Sequence, residues 1–386
     1  MRQTSSIGLA CGGLLALAAA IGIGRFVYTP ILPVMLESLH WSKADAGLVA
    51  SSNFLGYLVG AMVAAWPVAA HHQRMWLLAT LLISALTTAG VALDDQLMTL
   101  MGLRFVGGAA SAFVIVLSST LVLDRLSTAQ RADLSAIHFA GVGVGIIVSA
   151  ALVSVMVAAG AEWQALWIGS GAISLLATVL VAVLIPEQAQ MTSSPPMSAD
   201  KRPPRGLPTL IVAYGLFGFG YVITATFLVA IVRMTPEVRA LEAWIWILFG
   251  LATLPSVALW SWIGARIGLL IAFSVACLVE ALGVAASVEW ISISGVCLSA
   301  ILLGGTFMGI TALGLMAGRQ LSGSQPQRAI ALMTASFATG QMIGPTVAGI
   351  LFDKLGSLTV PSIIAAAALV VSAGLAIAAD HSNSTP

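Results

Sequence analysis

Three charged side chains, Arg25, Arg104 and Glu280, stand inside long apolar runs of this 386-residue chain. A charge in an apolar medium costs about 2.5–3.5 kcal/mol or more, so each is a candidate for chemistry. A guanidinium presents its donors in a fixed fork and suits a carboxylate or another anion held by parallel hydrogen bonds. The alternative for Arg25 and Arg104 is that they bond backbone carbonyls or acids at the ends of the runs and fix helix positions. Glu280 is a candidate proton carrier; the alternative is a neutral or locally bonded carboxyl at a helix contact. Softer candidates surround them. Phe26, Tyr28 and Tyr221 offer aromatic faces to a ligand or simply pack, and the amides Asn53 and Gln341 either bridge helices or bind ligand.

Other groups read as structural. His138 begins its apolar run and is expected to be wetted, and His71-His72 read as solvated loop residues. Cys11, Cys277 and Cys297 are odd in number and lack paired spacing, which gives neither a disulfide framework nor a zinc motif. No metal site and no cofactor are expected.

The elements that position these residues follow from composition. Only 8% of the residues are charged and 59% are hydrophobic. A soluble domain carries roughly 25% charged residues, so this chain has too little charge to coat a water-soluble particle. The class is an all-α integral membrane protein. Reading stretches of about 20 apolar residues, spans fall near 9–35, 46–69, 75–92, 97–121, 136–159, 163–185, 208–232, 243–264, 268–288, 291–317, 328–352 and 359–379. The apolar run after Arg2 reads as an uncleaved first helix rather than a signal peptide. Residues 186–207 are rich in proline and serine, with Lys201, Arg202 and Arg205, and read as a cytoplasmic linker. Segments 1–185 and 208–386 are then two six-helix bundles.

Lys and Arg set the orientation. With the N-terminus in the cytoplasm, that side holds Arg2, Arg74, Arg125, Arg131, Lys201, Arg202, Arg205, Arg266, Arg319 and Arg328. The other side holds Lys43, Arg233, Arg239 and Lys354. Both termini are therefore expected inside. Arg25 and Arg104, on antiparallel spans 1 and 4, then lie at similar depth.

The halves match at a nearly constant offset. Gly22-Ile23-Gly24-Arg25 aligns with Gly218-Phe219-Gly220-Tyr221 and Trp66 with Trp262, both at 196. Gly107-Gly108 aligns with Gly304-Gly305 at 197, and His138-Phe139-Ala140 with Ser336-Phe337-Ala338 at 198. Duplicated bundles with a cleft between them are a common route to alternating access.

On these residues the whole chain resembles the major facilitator superfamily. Gly22-Ile23-Gly24-Arg25-Phe26-Val27-Tyr28 with Leu32-Pro33, and Asn53-Phe54-Leu55-Gly56-Tyr57-Leu58, resemble the uncharacterised YbfB/YjiJ-type family within it. The resemblance implies that spans 1, 4, 7 and 10 line a central cavity. It also implies that Arg104 with Gly107-Gly108 matches an arginine motif tied to proton coupling. Two departures stand out. The loop after span 2, Trp66-Pro67-Val68-Ala69-Ala70-His71-His72-Gln73-Arg74, lacks the acid of the usual charged latch, and Ala265 replaces it in the second half. The complete Gly-Pro antiporter motif, Gly340 to Gly349 with Pro345, falls in span 11 instead of span 5.

Function classes narrow accordingly. A net charge of +1 gives no basic face for nucleic acid. No phosphate-binding Gly-rich loop supports a primary pump, and no nucleophile–base pair inside the spans supports an embedded enzyme; that enzyme, or a non-transporting sensor, is the alternative. The expectation is secondary transport of a small organic solute by a monomer in a bacterial inner membrane, with protons as coupling ion and efflux of an anionic or amphipathic compound as one direction. Arg25, Phe26, Tyr28, Asn53, Arg104, Tyr221 and Gln341 are the candidate substrate residues, and Glu280 and Arg104 the candidate coupling residues.

Overall fold

The computed structural model describes residues 5–64, 72–131, 134–187, 206–322 and 326–384. Among them every regular element is helical. The helices are α1 (Ser6–Leu17), α2 (Tyr28–Leu39), α3 (Lys43–Ala64), α4 (Gln73–Gly90), α5 (Leu97–Thr128), α6 (Ser135–Ala158) and α7 (Trp163–Leu184) in the first half. The second half holds α8 (Leu207–Met234), α9 (Glu242–Thr253), α10 (Ser256–Ile267), α11 (Leu269–Glu289), α12 (Ile293–Leu321), α13 (Pro326–Leu355) and α14 (Thr359–Ser384). Ten helical segments are long and apolar enough to cross a bilayer, counting Ser6–Leu39 as one. The pair α9–α10, bent by 41°, makes an eleventh if it is one span. The helix α13 occupies the expected place of span 11 but is not among those segments; Thr334, Ser336, Thr339, Gln341 and Pro345 lower its hydropathy. It can carry them because it packs along α3 and α8. The expected linker lies almost wholly outside the described residues, as do Trp66 and His71.

The duplication is visible in the helix crossings. In the first half Gly108 of α5 lies so close to α3 that a Cβ would collide with the Asn53 carbonyl oxygen. In the second half Gly304 of α12 meets the Phe249 carbonyl of α9 in the same way. Both pairs differ by 196, so Gly108 pairs with Gly304, one residue off the register read from the sequence. Glycine runs leave that shift open, and the backbone contact decides it.

Span 1 breaks the symmetry. It runs for 34 residues from Ser6 to Leu39, against 28 for α8. The extra backbone is taken up between α1 and α2. There the chain widens into i→i+5 bonds, Gly24 N–H donating to Ala19 O at 2.8 Å and Phe26 N–H to Ile21 O at 3.2 Å. Pro30 has no N–H for the Phe26 carbonyl; Thr29 N–H donates to it instead, at 3.2 Å, and so leaves the Arg25 carbonyl without that donor. A widened turn of this kind recurs at functional sites.

The halves meet along three seams, α3 with α13, α6 with α9, and α2 with α8. Most of the polar contacts across them cluster toward the end of the molecule that bears the turns after α2, α8 and α13, called here the closed end. Glu37 receives Arg233 Nε at 2.8 Å and Nη2 at 2.5 Å, and Arg233 Nη1 also reaches Glu242 at 2.9 Å. Asp353 accepts the N–H groups of Lys43 and Ala44, both at 3.0 Å. An anion is well placed there, because the first N–H groups of α3 lack helical partners. Thr29 Oγ1 donates to Ala225 O at 2.8 Å. Thr29 and Ala225, and Glu37 and Arg233, are each 196 apart. Repeat-related residues that touch each other must lie at the pseudo-two-fold axis, which therefore passes between α2 and α8.

The opposite end is built differently. Arg74 donates to the carbonyls of Ile185 at 2.6 Å and Ala182 at 2.7 Å, and Arg125 to Pro186 O at 3.3 Å. Two arginines thus serve the C-terminal carbonyls of α7, a favourable place for cations. Arg266 lies 3.8 Å over the Trp262 ring. His138, expected to be wetted, is fully buried, with Nε2 3.4 Å from Ser119 Oγ. Gly13 admits it, since α1 has no side chain at the point where the ring lies.

The Gly108 crossing yields the first prediction. Gly108→Ala should cost about 2 kcal/mol or more, as overpacking against backbone does. Gly102→Ala, which meets nothing within 4 Å, should keep or raise the unfolding midpoint in detergent, since alanine is the better helix former. Equal midpoints for both variants would contradict the close crossing.

Candidate functional site

Arg104 comes from α5 and reaches the broken turn of span 1. Its Nη1 donates to Gly24 O at 2.7 Å and its Nη2 to Arg25 O at 2.9 Å. The fork thus takes up carbonyls exposed where regular helix bonding lapses. The Tyr28 and Trp167 rings cover the guanidinium, 5.4 and 5.5 Å away, and Asn53 Nδ2 donates to the Arg104 carbonyl at 2.8 Å. Of the two sequence-based alternatives for Arg104, backbone bonding is the one with geometry here.

Arg25 points the other way, into the seam between the halves. Its Nη2 donates to Gln341 Oε1 of α13 at 2.6 Å, and the Gln341 amide in turn donates to the Tyr221 hydroxyl of α8. The guanidinium lies between the rings of Phe54 at 4.5 Å and Tyr57 at 4.4 Å. Only 6% of Arg25 and 4% of Arg104 is exposed. Among the described residues neither has a carboxylate partner at ion-pair distance. Arg25 Nε and Asn53 Oδ1 are buried without a hydrogen-bond partner, which leaves unused polar capacity at the seam.

Phe26 of the first half inserts among aromatics of the second. It meets Phe307 edge-on at 5.8 Å and Trp246 at 6.4 Å, and Phe307 stacks on Tyr221 at 5.6 Å. The seam therefore joins one cation, an amide and a box of rings. The void between Arg25, Phe26, Tyr28, Phe54 and Arg104 is only about 10 Å³, room for about one water molecule. The centre is closed down around Arg25.

The structure brings Arg25, Phe26, Gln341 and Tyr221 together, with Tyr28, Asn53 and Arg104 behind them. Tyr28 donates to Ala46 O at 2.9 Å. Glu280 stands apart on α11, fully buried, with both carboxyl oxygens lacking a partner within hydrogen-bond geometry. Thr306 lies beside it and Tyr221 is within electrostatic reach. The carboxyl thus lies at the contact of α11 with α12. Phe54, Tyr57, Trp246 and Phe307 were not singled out from the sequence. For Tyr57 a signal existed, since Asn53 and Tyr57 stand four residues apart on one helical face; for Trp246 and Phe307 there was none.

A broken first span at a seam between two repeated bundles suits an alternating-access architecture. The family described as uncharacterised MFS-type transporter YbfB matches residues 17–377, and the chain belongs to that family. Among solved structures, the nucleoside transporter NupG superposes with TM-score 0.70 at 16% identity, over 97% of this chain and 98% of that one. A point mutant of NupG gives 0.71 at 15% identity, over 96% and 99%. At that identity the likeness is one of fold.

Arg104→Lys tests the clamp. An ammonium cannot present two parallel N–H groups to adjacent carbonyls, so the variant should lose about 1.5–3 kcal/mol of stability, read as a lowered unfolding midpoint. An unchanged midpoint would argue against the clamp.

Proposed function

We propose that this chain is a secondary active transporter that moves a small organic anion by alternating access. The observation that carries this reading is the Arg25 guanidinium, buried at the seam between the halves without a carboxylate partner. Gln341 holds it through a single neutral amide. A ligand carboxylate would outbid that amide, because charge-assisted bonds are roughly twice as strong as neutral ones. Phe26, Tyr221, Phe54 and Tyr57 would then take the apolar part of the ligand, which makes an amphipathic anion the substrate class. Asn53 and Tyr28 shape the same wall, and Arg104 holds span 1 in register.

The moving bodies are residues 1–185 and 208–386, joined by the linker 186–207. In this reading the membrane is a bacterial inner one, and the Lys and Arg distribution supports a closed end outside and both termini in the cytoplasm. Export by a monomer is the direction in this reading, with the ion pairs at the closed end as the outer gate. Protons are the coupling ion in this reading, carried by Glu280, whose buried carboxyl lies beside Thr306 and within electrostatic reach of Tyr221.

Two measurements test it. Thermal-shift titration with a panel of aryl carboxylates and nucleosides should find a carboxylate ligand whose affinity falls roughly tenfold or more in Arg25→Ala. A nucleoside bound equally by both proteins would replace this reading. In proteoliposomes, Glu280→Gln should abolish accumulation driven by a pH gradient while solute exchange continues. Gradient-driven accumulation at the wild-type level would remove Glu280 from coupling.

A further inference from the structure

A ligand-sized void of this conformation lies away from the centre. A cavity of about 400 Å³ opens at the closed end, within the range of small-molecule sites, while the void at Arg25 holds about 10 Å³. The larger cavity lies on the pseudo-two-fold axis, next to the Glu37–Arg233 pair, and is lined from both halves. Its apolar wall includes Leu36, Trp41 and Phe352.

Among its lining residues three cations, Lys43, Arg233 and Arg239, face one acid, Glu37. Glu37 gives both carboxylate oxygens to Arg233, and Asp353 gives both of its own to the backbone N–H groups of Lys43 and Ala44. Lys43 and Arg239 on the rim are left without a hydrogen-bonded ion pair, and Asp353 and Glu37 act on Lys43 only at longer electrostatic range. Lys43 Nζ has the Phe352 ring at 5.4 Å, and the exposed Arg239 sits on the turn that precedes α9. Among the described residues neither has a carboxylate at ion-pair distance.

We propose that this cavity is a second, peripheral binding site for a small amphipathic organic anion. Lys43 and Arg239 take the carboxylate, and the apolar wall takes the body. The inference rests on the transport reading only for its ligand class. The site stands directly above the Thr29–Ala225 contact that closes the axis, so a ligand released from the centre through this end passes it, and one arriving there can wait in it.

Saturation-transfer NMR with benzoate on the full chain in lipid nanodiscs tests the site, with benzylamine as the cationic control. The Lys43→Gln/Arg239→Gln variant keeps its fold, because Asp353 bonds the Lys43 backbone and Arg239 has no partner to lose. Benzoate should bind the wild type and Arg25→Ala, weaken with added salt as rim charges are screened, and fall at least fivefold in the double variant; benzylamine should not bind. Unchanged benzoate binding in the double variant overturns the proposal. So does complete loss in Arg25→Ala, which would instead leave the central anchor as the anion site. Binding that survives Arg25→Ala unaltered and vanishes in the double variant supports the peripheral site even if the central anchor fails.

Discussion

A guanidinium in a bilayer protein must find acceptors for its N–H groups, and here it finds them in a helix that fails to satisfy its own carbonyls. Arg104 and the break in span 1 answer each other. The widened turn and the proline at position 30 leave carbonyls with reduced helical bonding, and the fork of Arg104 accepts that burden at 2.7 and 2.9 Å. Remove either partner and the other is left costly, since unsatisfied backbone in an apolar medium is penalised by several kcal/mol. The pairing also settles direction. With the turn held from one side, Arg25 is aimed at the seam.

The seam therefore inherits a charge with no counter-charge. Its neighbours are an amide and aromatic rings, which stabilise a cation by hydrogen bonding and by the ring quadrupole without neutralising it. Such an environment holds Arg25 in place and leaves its charge available. Closure at the other end uses a different principle: ion pairs and helix N-terminal groups, partly exposed, which contribute modestly each.

Much was legible in the sequence. Low charge and long apolar runs identified the membrane class, and the positions of the spans followed closely. The charged residues inside those runs pointed to Arg25, Arg104 and Glu280. The limits had physical causes. Repeat register along Gly107-Gly108 was one residue off, because several neighbouring glycines permit a close crossing and only the opposing carbonyl selects one. His138 was read as wetted, although Gly13 across the interface makes room to bury it. Tyr57, Trp246 and Phe307 join Arg25 and Phe26 from distant spans, and a periodic pattern names the face of a helix but not its neighbour.

Sequence alone determined that this chain crosses a membrane many times, that its halves are related, and that it belongs near the major facilitator superfamily. These follow from hydropathy, period and motif, which are local properties of the chain. Only the tertiary structure decided which arginine clamps backbone and which faces the seam. Both are the same residue type in equally apolar spans. What separates them is the set of acceptors within about 3 Å, and that set is assembled from residues up to 316 positions apart.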